Sequence, residues 1–253
     1  MSRLRLSACF LLFFGCAAGG ANLTSRERNQ HATFLLTNPV RGQCSGVVLT
    51  NDGYILTAAH CVRNNAEYLD VHVRDAQIVR ARVMAYNQER DLALLKADHS
   101  FDSAAALHAG RTLQAGDTIY HVGYPFSGRR GLPQLLGVGH IMNPDAELLQ
   151  HVGTRWILID LETGRPGASG SGAYDAETGG LIGMVDAVLT ITAPGFDSMS
   201  VVLLVPVNYI REFLRENGVT ARDVNDISDW NLESAPPQVQ FTCAREPQNQ
   251  TEK

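Results

Sequence analysis

The sequence is short of positive charge, long apolar runs and aromatic residues. Its 253 residues carry 21 Lys and Arg against 26 Asp and Glu, a net charge of −5. No Lys/Arg cluster is interleaved with aromatics, which excludes a nucleic-acid footprint. The longest apolar run near the start, Leu6 to Phe14, is nine residues, against the roughly 20 that a membrane-crossing helix needs. The eight histidines include no His-Glu-x-x-His pattern and no Cys/His cluster at zinc spacing, so neither a metal nor an organic cofactor is expected. No repeat at solenoid period is present. With 45% hydrophobic and 19% charged residues, the chain is not disordered in general and is long enough for one domain or two small, closely packed ones.

What is there begins with an export signal. Arg3 and Arg5 form a basic start, Leu6 to Phe14 is the apolar segment, and small residues follow from Ala17 to Ala21. Residues 1–21 therefore read as a signal peptide, with two routes left open. Ordinary cleavage releases the chain, whereas acylation at Cys16 anchors it, and only the second gives it a membrane partner. Either route leads out of the cytoplasm, to a periplasmic or extracellular site. Of five cysteines, Cys44, Cys61 and Cys243 then remain with certainty. Cys44 and Cys61 flank a strand-turn-strand unit that brings them together, and an oxidising compartment closes that pair; two buried free thiols are the alternative. Cys243 is left over in a polar tail.

From Ala32 onward short apolar runs alternate with Gly, Asn, Asp or Pro turns. About a dozen such segments, many of four to eight residues, indicate an all-β barrel or sandwich. Val207–Asn217, entered at Pro206 and stopped by Gly218, is the one convincing helix, with Val207, Ile210, Phe213 and Leu214 on a single face. The stretch Asp98 to Gly116, rich in Ala and Gly, separates two halves. Residues 218–253 read as a polar, loosely attached tail.

The chemistry concentrates at Arg165-Pro166-Gly167-Ala168-Ser169-Gly170-Ser171-Gly172. Glycines on both sides of Ser169 let successive amides point into one small space beside an exposed hydroxyl. A Gly-x-Ser-Gly turn alone is an ordinary surface turn, so its partners matter. Upstream lie Ala58-Ala59-His60-Cys61 and Arg90-Asp91-Leu92-Ala93-Leu94-Leu95-Lys96. A serine hydroxyl needs an adjacent base, and the base needs an anion to fix its tautomer, so His60, Asp91 and Ser169 in this order form a candidate triad. Ser171 is an alternative nucleophile, and Asp98 or Asp102 an alternative anion in the linker.

These three blocks resemble the signatures of trypsin-like serine proteases. The Asp-Leu-Ala-Leu-Leu block, Leu113 to Asp117 with Gly123-Tyr124-Pro125, and the close of Leu203 to Val207 into a helix are more similar to the bacterial HtrA/Deg and exported glutamyl-endopeptidase-like branches. No counterpart of the PDZ domains that commonly follow in HtrA proteins is expected after the helix. The resemblance implies a chymotrypsin-like fold of two six-stranded antiparallel β-barrels, about 31–105 and 111–206, with the helix 207–217 closing a protease domain over 22–217. It implies endopeptidase activity on a protein or peptide substrate. Ser169 is then the nucleophile, His60 the general base and acid, and Asp91 the orienting anion, with the amides of Gly167 and Ser169 forming the oxyanion hole. Gly183 to Val188 supplies the strand beside the primary pocket, to which Thr163, Asp186 and Val188 are assigned. Val188 in place of a glycine shortens that pocket and favours small aliphatic residues.

One position departs from the pattern. Ala168 stands where trypsin-like enzymes usually have Asp and the HtrA branch often has Asn, so a side chain that braces the oxyanion loop is missing. The loop then depends on packing or on substrate to form, and a catalytically weak or inactive binding module is the rival reading. An esterase using the same triad is a second rival.

Overall fold

The computed structural model describes residues 23–38, 42–62, 66–73, 77–126, 134–148, 153–161, 165–191 and 199–224. The expectations for 1–21, Cys16, Thr163, Cys243 and the tail beyond 224 lie outside the described residues.

Twelve strands build two closed barrels. In the first barrel β1 (Thr33–Asn38), β2 (Gly42–Val48), β3 (Tyr54–Ala58), β4 (Tyr68–His72), β5 (Ile78–Asn87) and β6 (Leu92–Ala97) close in the order β1-β2-β3-β6-β5-β4. In the second, β7 (Thr118–Gly123), β8 (Leu135–Glu147), β9 (Arg155–Asp160), β10 (Gly172–Asp175), β11 (Leu181–Ile191) and β12 (Met199–Pro206) close in the order β10-β11-β12-β9-β8-β7. All pairings between these strands are antiparallel. Closure leaves neither barrel with a free edge, and alternate side chains fill each interior. Leu36, Val47, Ile55, Leu69, Val71 and Leu94 are buried in the first barrel, and Ile119, Ile141, Ile159, Ala173, Ile182 and Leu204 in the second.

The connection between barrels is a buried strap. Ser103 and Ala104 to Leu107 are buried without belonging to a strand. Their backbone is satisfied from both sides: Ala105 N–H donates to Val48 C=O at 2.9 Å, and Leu181 N–H donates to Ala106 C=O at 2.8 Å. Alanine suits this place because the chain lies close against two walls. Arg111 then ties the strap to the second barrel, donating at 2.6 Å and 3.1 Å to the buried carboxylate of Asp175.

Helix α2 (Val207–Glu216) follows Pro206 and ends at Asn217, with Gly218 at φ +68°. Ile210, Phe213 and Leu214 are buried, each worth about 2 kcal/mol of transfer energy. The segment expected to start the loose tail is attached at first. Leu107 N–H donates to Arg222 C=O at 2.7 Å and Val224 N–H to Leu107 C=O at 2.9 Å.

A second helix, α1 (Ser25–His31), was not expected. Thr24 and Glu27 form a capping box at its start, which satisfies amides that would otherwise lack partners. It docks through a polar anchor: buried Asn29 donates to Tyr120 Oη at 2.7 Å and to Gly179 C=O at 2.8 Å.

Candidate active site

The seam of the barrels gathers the three candidate residues. β3 runs into a single 3-10 turn, Ala59–Cys61, which carries His60. Asp91 sits in the turn before β6 at φ +50°, a left-handed conformation that Asp tolerates better than most residues. The same residue fastens the turn three times. Its carbonyl accepts from Ala59 N–H at 2.9 Å, Oδ1 from His60 N–H at 2.8 Å, and Oδ2 from His60 Nδ1 at 2.6 Å. Nδ1–H is therefore the donor, and Nε2 keeps its lone pair. Burial opposes the charge of Asp91, yet the hydrogen bond from His60, followed by one from Asp186, holds its carboxyl below the ordinary range. Cys44 and Cys61 are joined in a disulfide that pins the His60 turn to β2.

Ser169 reaches the same place from the second barrel. Its carbonyl accepts from Ser45 N–H of β2 at 2.9 Å, and its Oγ rests 3.3 Å from the Asp186 carbonyl. Ser171, by contrast, is fully buried and donates Oγ to the Ala168 carbonyl. Its hydroxyl is committed to the loop. Asp98 and Asp102 are exposed and lie before the strap, whereas Asp91 meets His60.

The loop before Ser169 shows how Ala168 is compensated. Ala168 N–H donates to Arg165 C=O, Gly170 N–H to Val185 C=O and Ser171 N–H to Ala168 C=O, at 2.8–2.9 Å. No partner among the described residues accepts from the N–H of Gly167 or of Ser169. Two free amides flanking a buried methyl are what an oxyanion hole requires. Ser45 Oγ accepts from Tyr124 N–H and donates to Gly167 C=O, both at 2.9 Å, and Phe126 N–H holds Pro166 C=O at 2.5 Å. Gly167 at φ +92° has no room for a side chain, since a Cβ would fall 2.7 Å from Phe126 N. Behind the loop, fully buried His121 lies with Nε2 2.6 Å from Ser171 Oγ. Because that hydroxyl gives its proton to Ala168 C=O, His121 Nε2–H is the donor to it. Backbone carbonyls thus receive the bracing that a side chain at 168 would supply. Sequence reasoning missed Ser45 and His121; of this group it noticed Ser171 alone, as an alternative nucleophile.

His121 makes the brace acid-sensitive. Burial pushes its pKa from 6.5 down to about 4. Between these values the unfolded chain binds a proton that the folded chain refuses, so stability falls as pH drops through the window. The loss approaches about 3 kcal/mol by pH 4, or a Tm lower by about 6–12 °C. Asp91 and Asp175, whose carboxyls are held low, contribute only as pH falls further. Calorimetric scans from pH 7 to 4 check this: His121→Gln is expected to flatten the dependence, and an unchanged slope would assign it to other groups.

Two of the residues assigned to the primary pocket, Asp186 and Val188, lie on β11, and Thr163 lies outside the described residues. Val188 is 39% exposed on β11. Asp186 is the extra residue of a bulge in β11 between Val185 and Ala187, and its Oδ1 lies 3.9 Å from His60 Nδ1. A cleft of about 540 Å³ does open beside the oxyanion loop, lined by Thr37, Asn38, Gln43, Phe126, Pro166 and Gly167. His60, Asp91 and Asp186 place ligand atoms within 4.8 Å of one another, and His60 Nδ1 is engaged with Asp91.

Two six-stranded barrels with a histidine, a carboxylate and a serine at their seam define the trypsin-like class. The trypsin-like peptidase domain matches residues 44–184, and the chain belongs to that family. Among its relatives, it is 27% identical over 179 residues to the probable periplasmic serine endoprotease DegP-like of Halomonas elongata, covering 70% of this chain and 36% of that protein. It is 30% identical over 181 residues to the periplasmic pH-dependent serine endoprotease DegQ of Escherichia coli, covering 70% and 38%. With Protease Do-like 1, chloroplastic, of Arabidopsis thaliana the identity is 28% over 175 residues, covering 67% and 38%. The chain thus spans less than two fifths of the length of these relatives.

Proposed function

We propose that this protein is an exported serine endopeptidase that cleaves peptide bonds through an acyl-enzyme. The observation that carries the reading is the His60 to Asp91 pair, bound through both ring and backbone, beside Ser169 and two unclaimed amides. In the reaction Ser169 Oγ leaves the Asp186 carbonyl, gives its proton to His60 Nε2 and attacks the scissile carbonyl carbon. Negative charge then appears on the carbonyl oxygen, where the N–H groups of Gly167 and Ser169 receive it. His60, now a cation stabilised by Asp91, passes the proton to the leaving amine as the C–N bond breaks. Water repeats the sequence on the acyl-enzyme, with His60 again as base, and releases the acid and free Ser169.

Export is supported by the leader-like residues 1–21, by the Cys44–Cys61 bridge and by the periplasmic names of two relatives. Val188 supports a preference for small aliphatic side chains in the primary pocket. Covalent labelling by a fluorophosphonate, located by mass spectrometry, tests the activity. The adduct is expected on Ser169 and absent from Ser169→Ala. Folded, oxidised protein that takes no label would overturn the enzyme reading in favour of a peptide-binding role.

A further inference from the structure

Asp186 carries a half-buried carboxyl, and the reaction above uses this residue only through its backbone. We propose that it is a positioning residue of the catalytic group, a protonated carboxyl that donates a hydrogen bond to the Asp91 carboxylate, and that its ionisation sets the alkaline limit of activity. The inference rests on the protease reading for its effect on rate, but the contact it describes does not.

The geometry comes from the bulge in β11. Val185 pairs with Leu204 and Ala187 with Leu203, so Asp186 has no opposite residue in β12. A bulge re-aims a side chain and a carbonyl together. Here the carbonyl meets Ser169 Oγ, and the carboxyl enters the space beside His60 and Asp91. The Asp186 side chain is only 16% exposed and that of Asp91 10%. Two carboxyls this close and this dry do not both ionise at little cost, because each charge opposes the other and burial opposes both. One proton is therefore shared by the pair. Asp91 is the better seat for the charge, since it already accepts two hydrogen bonds from His60; the proton belongs to Asp186. The lowered pKa of Asp91, to which a hydrogen bond from Asp186 contributes after that from His60, agrees with this direction.

His60 from the 3-10 turn and Asp91 from the turn before β6 are charged groups that face Asp186. Neither β11 nor β12 carries another ionisable side chain. Arg90, next to Asp91 in sequence, is turned outward to Glu212 and lies 4.4 Å over the Tyr209 ring. As pH rises and Asp186 loses its proton, the donor becomes a second anion beside Asp91. The bond that oriented Asp91 turns into repulsion, and the imidazole loses its fixed partner.

Two measurements on the mature, oxidised full chain test this. The first follows the ¹³Cγ shifts of Asp186 and Asp91 against pH in the Ser169→Ala protein, which needs no turnover. Asp186 is expected to titrate well above the ordinary carboxyl range and Asp91 below it; both titrating together in that range would overturn the proposal. The second is the pH profile of kcat/KM on a peptide. Asp186→Ala is expected to lower kcat about 100-fold with KM little changed, and Asp186→Asn, which keeps an N–H donor, about tenfold. Asp186→Asn is also expected to lack the alkaline limb of the wild-type protein. A limb that persists in Asp186→Asn, or equal losses in the two variants, would reduce Asp186 to a structural residue. Absence of peptide hydrolysis in wild-type protein would remove the protease reading, while the carboxyl titration would still decide the contact.

Discussion

Ser169→Ala is expected to lower kcat on a peptide substrate by about 10⁶-fold, with His60→Ala comparable and Asp91→Asn near 10⁴-fold. The first two agree because a serine without its base and a base without its serine leave the same incomplete step. Ser169→Ala combined with His60→Ala should therefore cost no more than either alone. The residual rate, about 10³-fold above water, belongs to the Gly167 and Ser169 amides and to substrate placement. Asp91→Asn costs less in chemistry but more in structure, because the new amide NH₂ would face either His60 N–H or Nδ1–H, both of which now donate to the carboxylate. Ser169→Ala removes only a weak bond to the Asp186 carbonyl, so its thermal midpoint should match the wild type while Asp91→Asn falls. Steady-state kinetics with matched melting curves check both halves. Retention of more than about 1% activity by Ser169→Ala would move the nucleophile elsewhere, against the ~10²-fold or larger losses that such removals produce.

Much of this was legible in the sequence where the signal is local. All twelve strands were marked by apolar runs between turn residues, and α2 by Pro206, Gly218 and one apolar face. Cys44 and Cys61 announced their bridge because a strand-turn-strand unit brings its ends together. Helix α1 was missed because Ser-Arg-Glu-Arg-Asn-Gln-His has no apolar stripe; its buried residues are the polar Ser25 and Asn29, and Asn29 bonds to Tyr120 and Gly179, both far along the chain. The direction of the Asp186 carboxyl was illegible for a related reason. Its pocket assignment followed from the family resemblance, and the bulge that brings its carboxyl near His60 has no signature in the letters Val-Asp-Ala. The braces of the oxyanion loop were invisible from Ala168 alone. They come from Ser45 in one barrel and from His121 and Ser171 in the other, and a sequence does not say which hydroxyls will face a given carbonyl.

Gly170→Ala is expected to cost more than any other single methyl added near the site. Gly170 sits at φ +84°, and a Cβ there would lie 2.2 Å from Ser45 C=O, 2.4 Å from Thr57 Oγ1 and 3.1 Å from Ala58 N. Two of these are backbone atoms of β2 and β3, and the third is held by its own bond, since Thr57 Oγ1 donates to Ser45 C=O at 2.8 Å. None can swing aside as a side-chain tip does. Left-handed geometry alone costs a non-glycine residue about 1–2 kcal/mol. Gly116→Ala isolates that term, because Gly116 has φ +91° and open space where its Cβ would be. The difference between the two variants is then the contact itself. For Gly170→Ala the barrels must part at the place where Ser45 N–H holds Ser169 C=O, which displaces Ser169 from His60. A displacement of about 1 Å costs on the order of 10²-fold in rate, and a total loss of about 3–4 kcal/mol lowers Tm by about 6–16 °C. Gly116→Ala should shift Tm by about 2–8 °C and leave kcat within a factor of two or so. Equal effects of the two substitutions on Tm and kcat would mean that the Ser169 loop yields freely, and that contact between the barrels does not set the position of the nucleophile.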